Sequence, residues 1–278
     1  MSSDKIEKFH NSIIQHGPLN QRIYLMHLSP DDYPQIIPDL KNFALQHGYT
    51  KIFAKVPCNL SSHFTEAGYM KEAHVPGMYQ GRNDGCFMGL FLDEMRMIPY
   101  NAELMRQVLQ AATDRKAKPL TNQPPPNYKV RQLGPDDAQN MAEVYSQTFE
   151  TYPFPVFNPD YLVQTMQENI SYFGIFADSN LVALSSAETD QEAGAAEVTD
   201  FATLMSYRGQ RLGRVLIHSM LQSMKQEKIL TLYSIARSVS YGMNITLARS
   251  GFRFTGVLIN NTHIAGNMES MNVWYLSL

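Results

Sequence analysis

Three consecutive prolines, Pro124-Pro125-Pro126, sit inside the polar run Lys116–Asn127 and constrain this chain more than any other feature. Proline fixes φ and lacks a backbone N–H, so the run enters neither a helix interior nor a central strand, and it has little apolar surface to bury. The expected division is residues 1–115, a joint at 116–127 and residues 128–278, each flanking piece being long enough for a core of its own. Hydrophobic residues at 44% and charged residues at 18% exclude wholesale disorder. A net charge of −3 argues against binding nucleic acid or an anionic membrane through the overall field. No apolar stretch reaches the roughly 18 residues of a membrane helix, and the polar start has no signal-peptide core, so a cytoplasmic protein is expected. Two cysteines, Cys58 and Cys86, make neither a disulfide framework nor a metal set, and the eight histidines contain no HExxH. No metal is expected.

After the joint, the pattern reads as strands interleaved with helices, an α/β (α+β) arrangement. Tyr128–Leu133 alternates as a short strand, and Gly134-Pro135-Asp136-Asp137 starts a helix carrying Met141, Val144 and Tyr145 on one face. Strands Tyr172–Ala177 and Leu181–Glu188 flank the turn Asp178-Ser179-Asn180. Strand Ala196–Leu204 leads through a loop into a helix from about Gly209, whose stripe is Leu212, Val215, Leu216, Met220 and Met224. Strand Leu230–Ala236, helix Met243–Ser250 and two further strands complete the chain. The first half echoes this ending. Tyr69, after Gly68, precedes the strand Phe87–Leu92 by eighteen residues, and Phe252, after Gly251, precedes the strand Met271–Leu276 by nineteen. Chance similarity and duplication both explain the echo.

Net charge conceals a partition. From Gln132 to Tyr207 there are twelve Asp or Glu and no Lys or Arg; from Arg208 to Arg253 there are eight Lys or Arg and one acid, Glu227. A solubilising surface would account for this, but so would a site that joins a polyanionic ligand to a cationic one.

Tyr207-Arg208-Gly209-Gln210-Arg211-Leu212-Gly213-Arg214 lies between a strand and the amphipathic helix. Glycines at 209 and 213 allow close backbone approach, the first-turn N–H groups lack helical partners, and three arginines add positive charge. Such a turn suits a pyrophosphate. It is neither a P-loop nor a Rossmann fingerprint. It resembles the acetyl-CoA signature [QR]xxGx[GA] of the GNAT acetyltransferases: Arg208-xx-Arg211-x-Gly213 matches at two of three positions, with Arg211 where glycine is usual. A longer resemblance runs through Phe64, Ala67, Gly68 and Tyr69 to Gly81, then Thr199–Leu204, Ser240–Thr246, Leu258–Thr262 and Glu269–Tyr275. These blocks resemble the β-lysine N-acetyltransferases. The resemblance implies a GNAT fold in the second half, preceded by a smaller, degenerate GNAT-like α/β domain. It also implies acetyl transfer from acetyl-CoA to the terminal (ε) amine of β-lysine, a small cationic amino acid, giving a compatible solute.

An amine attacks a thioester only when neutral, yet an alkylammonium has a pKa of about 10.4. The site must take a proton, align the amine and stabilise an oxyanion. The resemblance places backbone donors for pantetheine and the oxyanion on Phe201, Ala202, Thr203 and Leu204, and the pyrophosphate on Arg208, Gly209, Gln210, Arg211, Gly213 and Arg214. Asp200 is the first candidate base and Glu197 the second; three apart on a strand, they face opposite ways unless a bulge intervenes. The tyrosine that usually serves GNAT enzymes as general acid corresponds to Leu247, which leaves Tyr241 or an unassisted thiolate. Asn244 is placed to bond pantetheine or the acceptor, or to sit as a polar residue at a helix start. Tyr152 and Phe154 belong to a rigid aromatic loop suited to an aliphatic diamine, and Asn260, Asn261 and Glu269 are candidates for the acceptor's far end. The rival readings are an acetyltransferase for another small amine or a peptide amine, and a non-catalytic acyl-CoA sensor. A homodimer stays open.

Overall fold

The computed structural model describes residues 4–115, 117, 124, 126–264 and 266–278. Most of the expected joint at 116–127 lies outside the described residues. The first half contains β1 (Lys5–Phe9), β2 (Ser12–Gly17), β3 (Arg22–His27), α1 (Ile36–Gln46), β4 (Lys51–Pro57), α2 (Ser61–Glu66), β5 (Met70–Tyr79), β6 (Asn83–Phe91) and α3 (Ala102–Thr113). The second half contains β7 (Tyr128–Gln132), α4 (Ala138–Thr148), α5 (Pro159–Glu168), β8 (Ile170–Ala177), β9 (Asn180–Asp190), β10 (Ala195–Thr203), α6 (Leu212–Gln226), β11 (Thr231–Arg237), α7 (Tyr241–Arg249), β12 (Arg253–Ile264) and β13 (Asn267–Ser277).

All the strands join one sheet in the order β1-β2-β3-β4-β6-β5-β12-β13-β11-β10-β9-β8-β7. The order 1-2-3-4-6-5 in the first half recurs as 8-9-10-11-13-12 in the second. Among the described residues each half has one parallel pair, β3 with β4 and β10 with β11, set among antiparallel neighbours. In both halves a helix crosses between the parallel strands, as a parallel connection requires. The stripe expected on α6 is buried at all five positions and forms a core with β8–β11. Ala112 of α3 also enters that core, so the last helix of the first half packs on the second.

The halves meet where β5 and β12 pair at Ala73 and Gly256. A Cβ at Gly256 would fall 2.2 Å from the Glu72 carbonyl oxygen, so the approach is one only glycine permits. Beyond this contact β12 bulges between Leu258 and Thr262, and buried charges of the first half satisfy the freed backbone. Lys51, fully buried, pairs with Glu72 at 2.8 Å and donates to the Ile259 carbonyl at 2.8 Å. Glu72 accepts from the Ile259 N–H at 2.7 Å, and Arg96 donates to the Asn260 carbonyl at 3.0 Å. Charges this deep are tolerated because each has a partner.

The cysteines, given no part in a framework from the sequence, are bonded to each other: Cys58, just after β4, bridges to Cys86 on β6. A spacing of 28 residues without a recognisable pattern offered no signal for this. Among the described residues no helix is long and apolar enough to cross a membrane.

Candidate active site

β10 and β11 pair only from Ala195–Glu197 with Thr231–Tyr233, and then diverge. On its other side β10 stays paired with β9, but its register shifts between Thr199 and Ala202, with Asp200 at φ +55°. The bulge and the divergence together open a wedge in the sheet. Backbone groups of Phe201–Thr203 that face β11 have no strand to pair with, which leaves donors aimed into the gap.

Two cavities meet there. The larger, about 600 Å³, runs from Thr199, Phe201 and Thr203 on β10, past Ser234 and Ala236 on β11, to the turn before α6. Arg208, Gly209, Arg211 and Gly213 line it. Gly209 has φ +81°, with open space where a side chain would begin, and Arg211 has φ +65° immediately before Leu212, the first residue of α6. The usual glycine at position 211 is thus a demand of the backbone: the N-cap is left-handed, and arginine accepts that strain while adding a charge beside the free N–H groups of α6.

The second cavity, about 110 Å³, holds the acids. Glu197 lies directly opposite Glu188 across the β10–β9 ladder, and both line it with Asp200. The sequence left room for only one of Glu197 and Asp200 to face an acceptor; the bulge turns both toward the same space. Burial, reinforced by Glu188, pushes Glu197 up to about 8. Burial raises Glu188 and Asp200 too, Asp200 against the pull of hydrogen bonds from Ser186 and Tyr152. Ser186 donates to Asp200 at 2.6 Å, and the Tyr152 hydroxyl donates to its other oxygen. Tyr152, Thr199, Asp200, Ile235, Ile264 and Met271 border both cavities, which places the junction beside Asp200.

The other residues singled out from the sequence fall in different places. Phe154 and Asn261 line the acid cavity. Asn244 is fully buried and lines neither cavity: its amide donates to the carbonyls of Arg237 and Ser240, and its oxygen accepts from Asn272 and Trp274. Asn260 likewise turns inward, donating to the carbonyls of Arg96 and Ile98. Glu269 pairs with Arg237 at 2.9 Å, and it is Arg237 that borders the larger cavity. Tyr241 is 42% exposed and borders neither cavity, although its neighbours Ser240 and Gly242 border the larger. Gln210 accepts from the Tyr128 hydroxyl at 2.8 Å, and Gln210, Arg214, Ala202 and Leu204 have no side chain in either lining.

The sequence reads the first half as a silent copy that completes or shields the acceptor pocket, but it singles out none of the residues that do so. Arg22, Tyr24 and Met26 on β3, with Phe53 and Lys55 on β4, form one wall of the acid cavity. The signal was present: a charged residue at an inward position of an otherwise apolar strand, as in Arg22–His27, marks a wall that faces something polar.

Known proteins resemble this chain in sequence. The sequence profile of the Acetyltransferase (GNAT) family matches residues 138–243. A β-lysine N(6)-acetyltransferase of Methanococcus maripaludis is 36% identical over 98% of this chain and 98% of its own length. The N-acetyltransferase YodP of Bacillus subtilis is 31% identical over 95% of this chain and 94% of its own, and a β-lysine N(6)-acetyltransferase of Methanosarcina mazei is 28% identical over 87% and 96%. The chain belongs to the GNAT acetyltransferase family. It is an acetyl-CoA-dependent N-acetyltransferase, related along nearly its whole length to enzymes named for β-lysine.

Proposed function

We propose that this protein transfers the acetyl group of acetyl-CoA to the terminal amine of β-lysine. The observation that carries the reading is the meeting of two unlike cavities: an arginine-glycine turn on a helix N-terminus opens into one, and three carboxylates line the other. The names of the relatives supply the particular amine. The charge partition follows the same division, with Glu188, Glu197 and Asp200 from the acidic run and Arg208 and Arg211 from the basic run.

In this reading the pyrophosphate of acetyl-CoA rests on the turn Arg208–Gly213, and the thioester lies along Phe201–Thr203, whose free backbone N–H groups polarise its carbonyl. The acceptor ammonium enters the acid cavity and gives a proton to Glu197. A carboxylate at about 8 is a far better match for an amine than an ordinary glutamate. Asp200, already holding two hydroxyls, fixes Tyr152 and the bulge at the junction instead of taking the proton. The neutral nitrogen attacks the carbonyl carbon, the tetrahedral oxyanion collapses as the C–S bond breaks, and the nitrogen gives up its second proton to the departed thiolate. The thiolate, with a pKa of about 8.5, leaves without needing Tyr241.

We further propose that residues 1–115 form a catalytically silent copy joined through 116–127 to the acetyltransferase domain at 128–278. The segment after β3 that corresponds to the arginine-glycine turn carries Pro30, Asp31, Asp32 and Pro34, which suits no phosphate.

Thiol release measured over β-lysine, lysine, ornithine, spermidine and a short peptide tests the acceptor class. β-Lysine should give the highest kcat/KM. A preference for the peptide would favour the open-groove alternative, and acetyl-CoA binding without turnover of any amine would favour a sensor.

A further inference from the structure

Arg22 is a buried cation with no carboxylate in contact with it among the described residues; Asp4 and Glu72 act on it only from a distance. It is 4% exposed and lines the acid cavity, and among the described residues no carboxylate forms an ion pair with it. Its Nη atoms donate to neutral oxygens only: the Asn261 carbonyl, the Thr262 hydroxyl at 3.0 Å and Gln15 Oε1 at 3.3 Å. Among the described residues its buried Nε–H has no partner, and neither has Asn261 Oδ1, in the same wall. Leaving a charged donor in this state is costly unless something fills it. The rings of Tyr24 and Phe53, 5.6 and 5.7 Å from the guanidinium, hold it in place but do not neutralise it.

Its position gives the cavity a direction. Lys51 pairs with Arg22 across β4 and β3, and Lys55 lies four residues further along the same strand, about 13 Å away. Glu188 and Glu197 face the Lys55 end, since Lys55 is the cation that offsets both. One end of the wall is therefore an unpaired arginine and the other a cluster of acids.

We propose that Arg22 is the carboxylate-binding residue of the acceptor subsite, so that the first half of the chain selects an amino acid over a carboxylate-free polyamine. This rests on the proposed acetylation of an amine in the acid cavity and adds how its far end is read. Arginine presents paired N–H donors in a fork that matches a carboxylate. With the carboxylate held at Arg22, an extended diamino acid directs its distal nitrogen toward Glu197 and the junction at Asp200, while the β-amine stays nearer the anchored end. The arginine is a specificity residue; the proton and acyl transfers do not involve it.

The test compares β-lysine with β-lysine amide, which keeps both amines but has no anionic carboxylate, in the full-length wild type and in Arg22→Gln and Arg22→Lys. The wild type should favour the acid by about 100-fold in kcat/KM, the scale of a hydrogen-bonded charged group. Arg22→Gln should abolish that preference by raising KM far more for the acid than for the amide, with acetyl-CoA affinity in place, and Arg22→Lys should keep part of it. If Arg22→Gln does not fold, the wild-type ratio and the lysine variant still decide. Equal use of acid and amide by the wild type, or an equal loss on both in the glutamine variant, would overturn the subsite while leaving acetyl transfer standing. Turnover of neither compound would overturn the acceptor class and the subsite together.

Discussion

Replacing Glu197 by glutamine is expected to lower kcat/KM for the acceptor by about 10²–10⁴-fold, the range for a positioned general base. Affinity for acetyl-CoA should not change, because Glu197 lines only the acid cavity. The wild-type kcat/KM should fall tenfold per pH unit below about 8, where Glu197 takes up its proton. In the glutamine variant the break at about 8 should vanish, and the residual rate should go on rising tenfold per pH unit toward the amine's solution pKa of about 10.4. Stability gives an independent readout. A glutamate raised from 4.5 to about 8 binds its proton more tightly in the folded chain, so its favourable contribution is complete below 4.5 and lost as pH rises through about 8. Thermal unfolding should therefore show Glu197→Gln gaining on the wild type between pH 5 and pH 9. A variant that keeps the break near 8 would exclude Glu197 as the base, and a loss confined to Asp200→Asn would move the role there.

Gly213→Asp should raise the KM for acetyl-CoA by roughly 100-fold, about 2.7 kcal/mol. Position 213 lies in the first turn of α6 and borders the larger cavity. A new Cβ would approach Thr246 Cγ2 at 3.3 Å, a contact that a small shift relieves. Bulk is thus the lesser effect. The added carboxylate would stand where the helix dipole, Arg208 and Arg211 favour anions, and would repel the pyrophosphate. Gly213→Ala separates the two, since it brings the bulk without the charge and should retain most of the affinity. Isothermal titration of acetyl-CoA checks both, and equal affinity in all three proteins would remove the pyrophosphate from this turn.

Much of the second half was legible because its signals are local. The α6 stripe, the Asp178–Asn180 turn and the arginine-glycine turn each depend on neighbours within a dozen residues, and each lies where its spacing predicts. The acid cavity depended on long-range pairing. Glu188 meets Glu197 only through the β9–β10 register, and Arg22 on β3 meets Asn261 in the bulged part of β12 although three strands separate the two in the sheet order. Asn244 and Asn260 show the converse, each with a structural role beside the ligand role the sequence allows. Polar residues in blocks shared with a family suggest ligands, but these two satisfy buried backbone carbonyls at a helix start and a strand bulge, a structural demand equally specific to the fold. The bulge at Asp200 was the decisive local uncertainty, because one left-handed residue changes which carboxylates share a face.

The position of the new amide on β-lysine tests the central claim most directly. Full-length protein, acetyl-CoA and β-lysine should yield a single product, and two-dimensional NMR should place the acetyl group on the terminal nitrogen, with the β-amine unmodified. A carboxylate anchored at one end of the acid cavity and a thioester entering at the other leave only the distal nitrogen within reach. Acetylation of the β-amine, a mixture of the two, or no acetylated β-lysine at all would contradict the account.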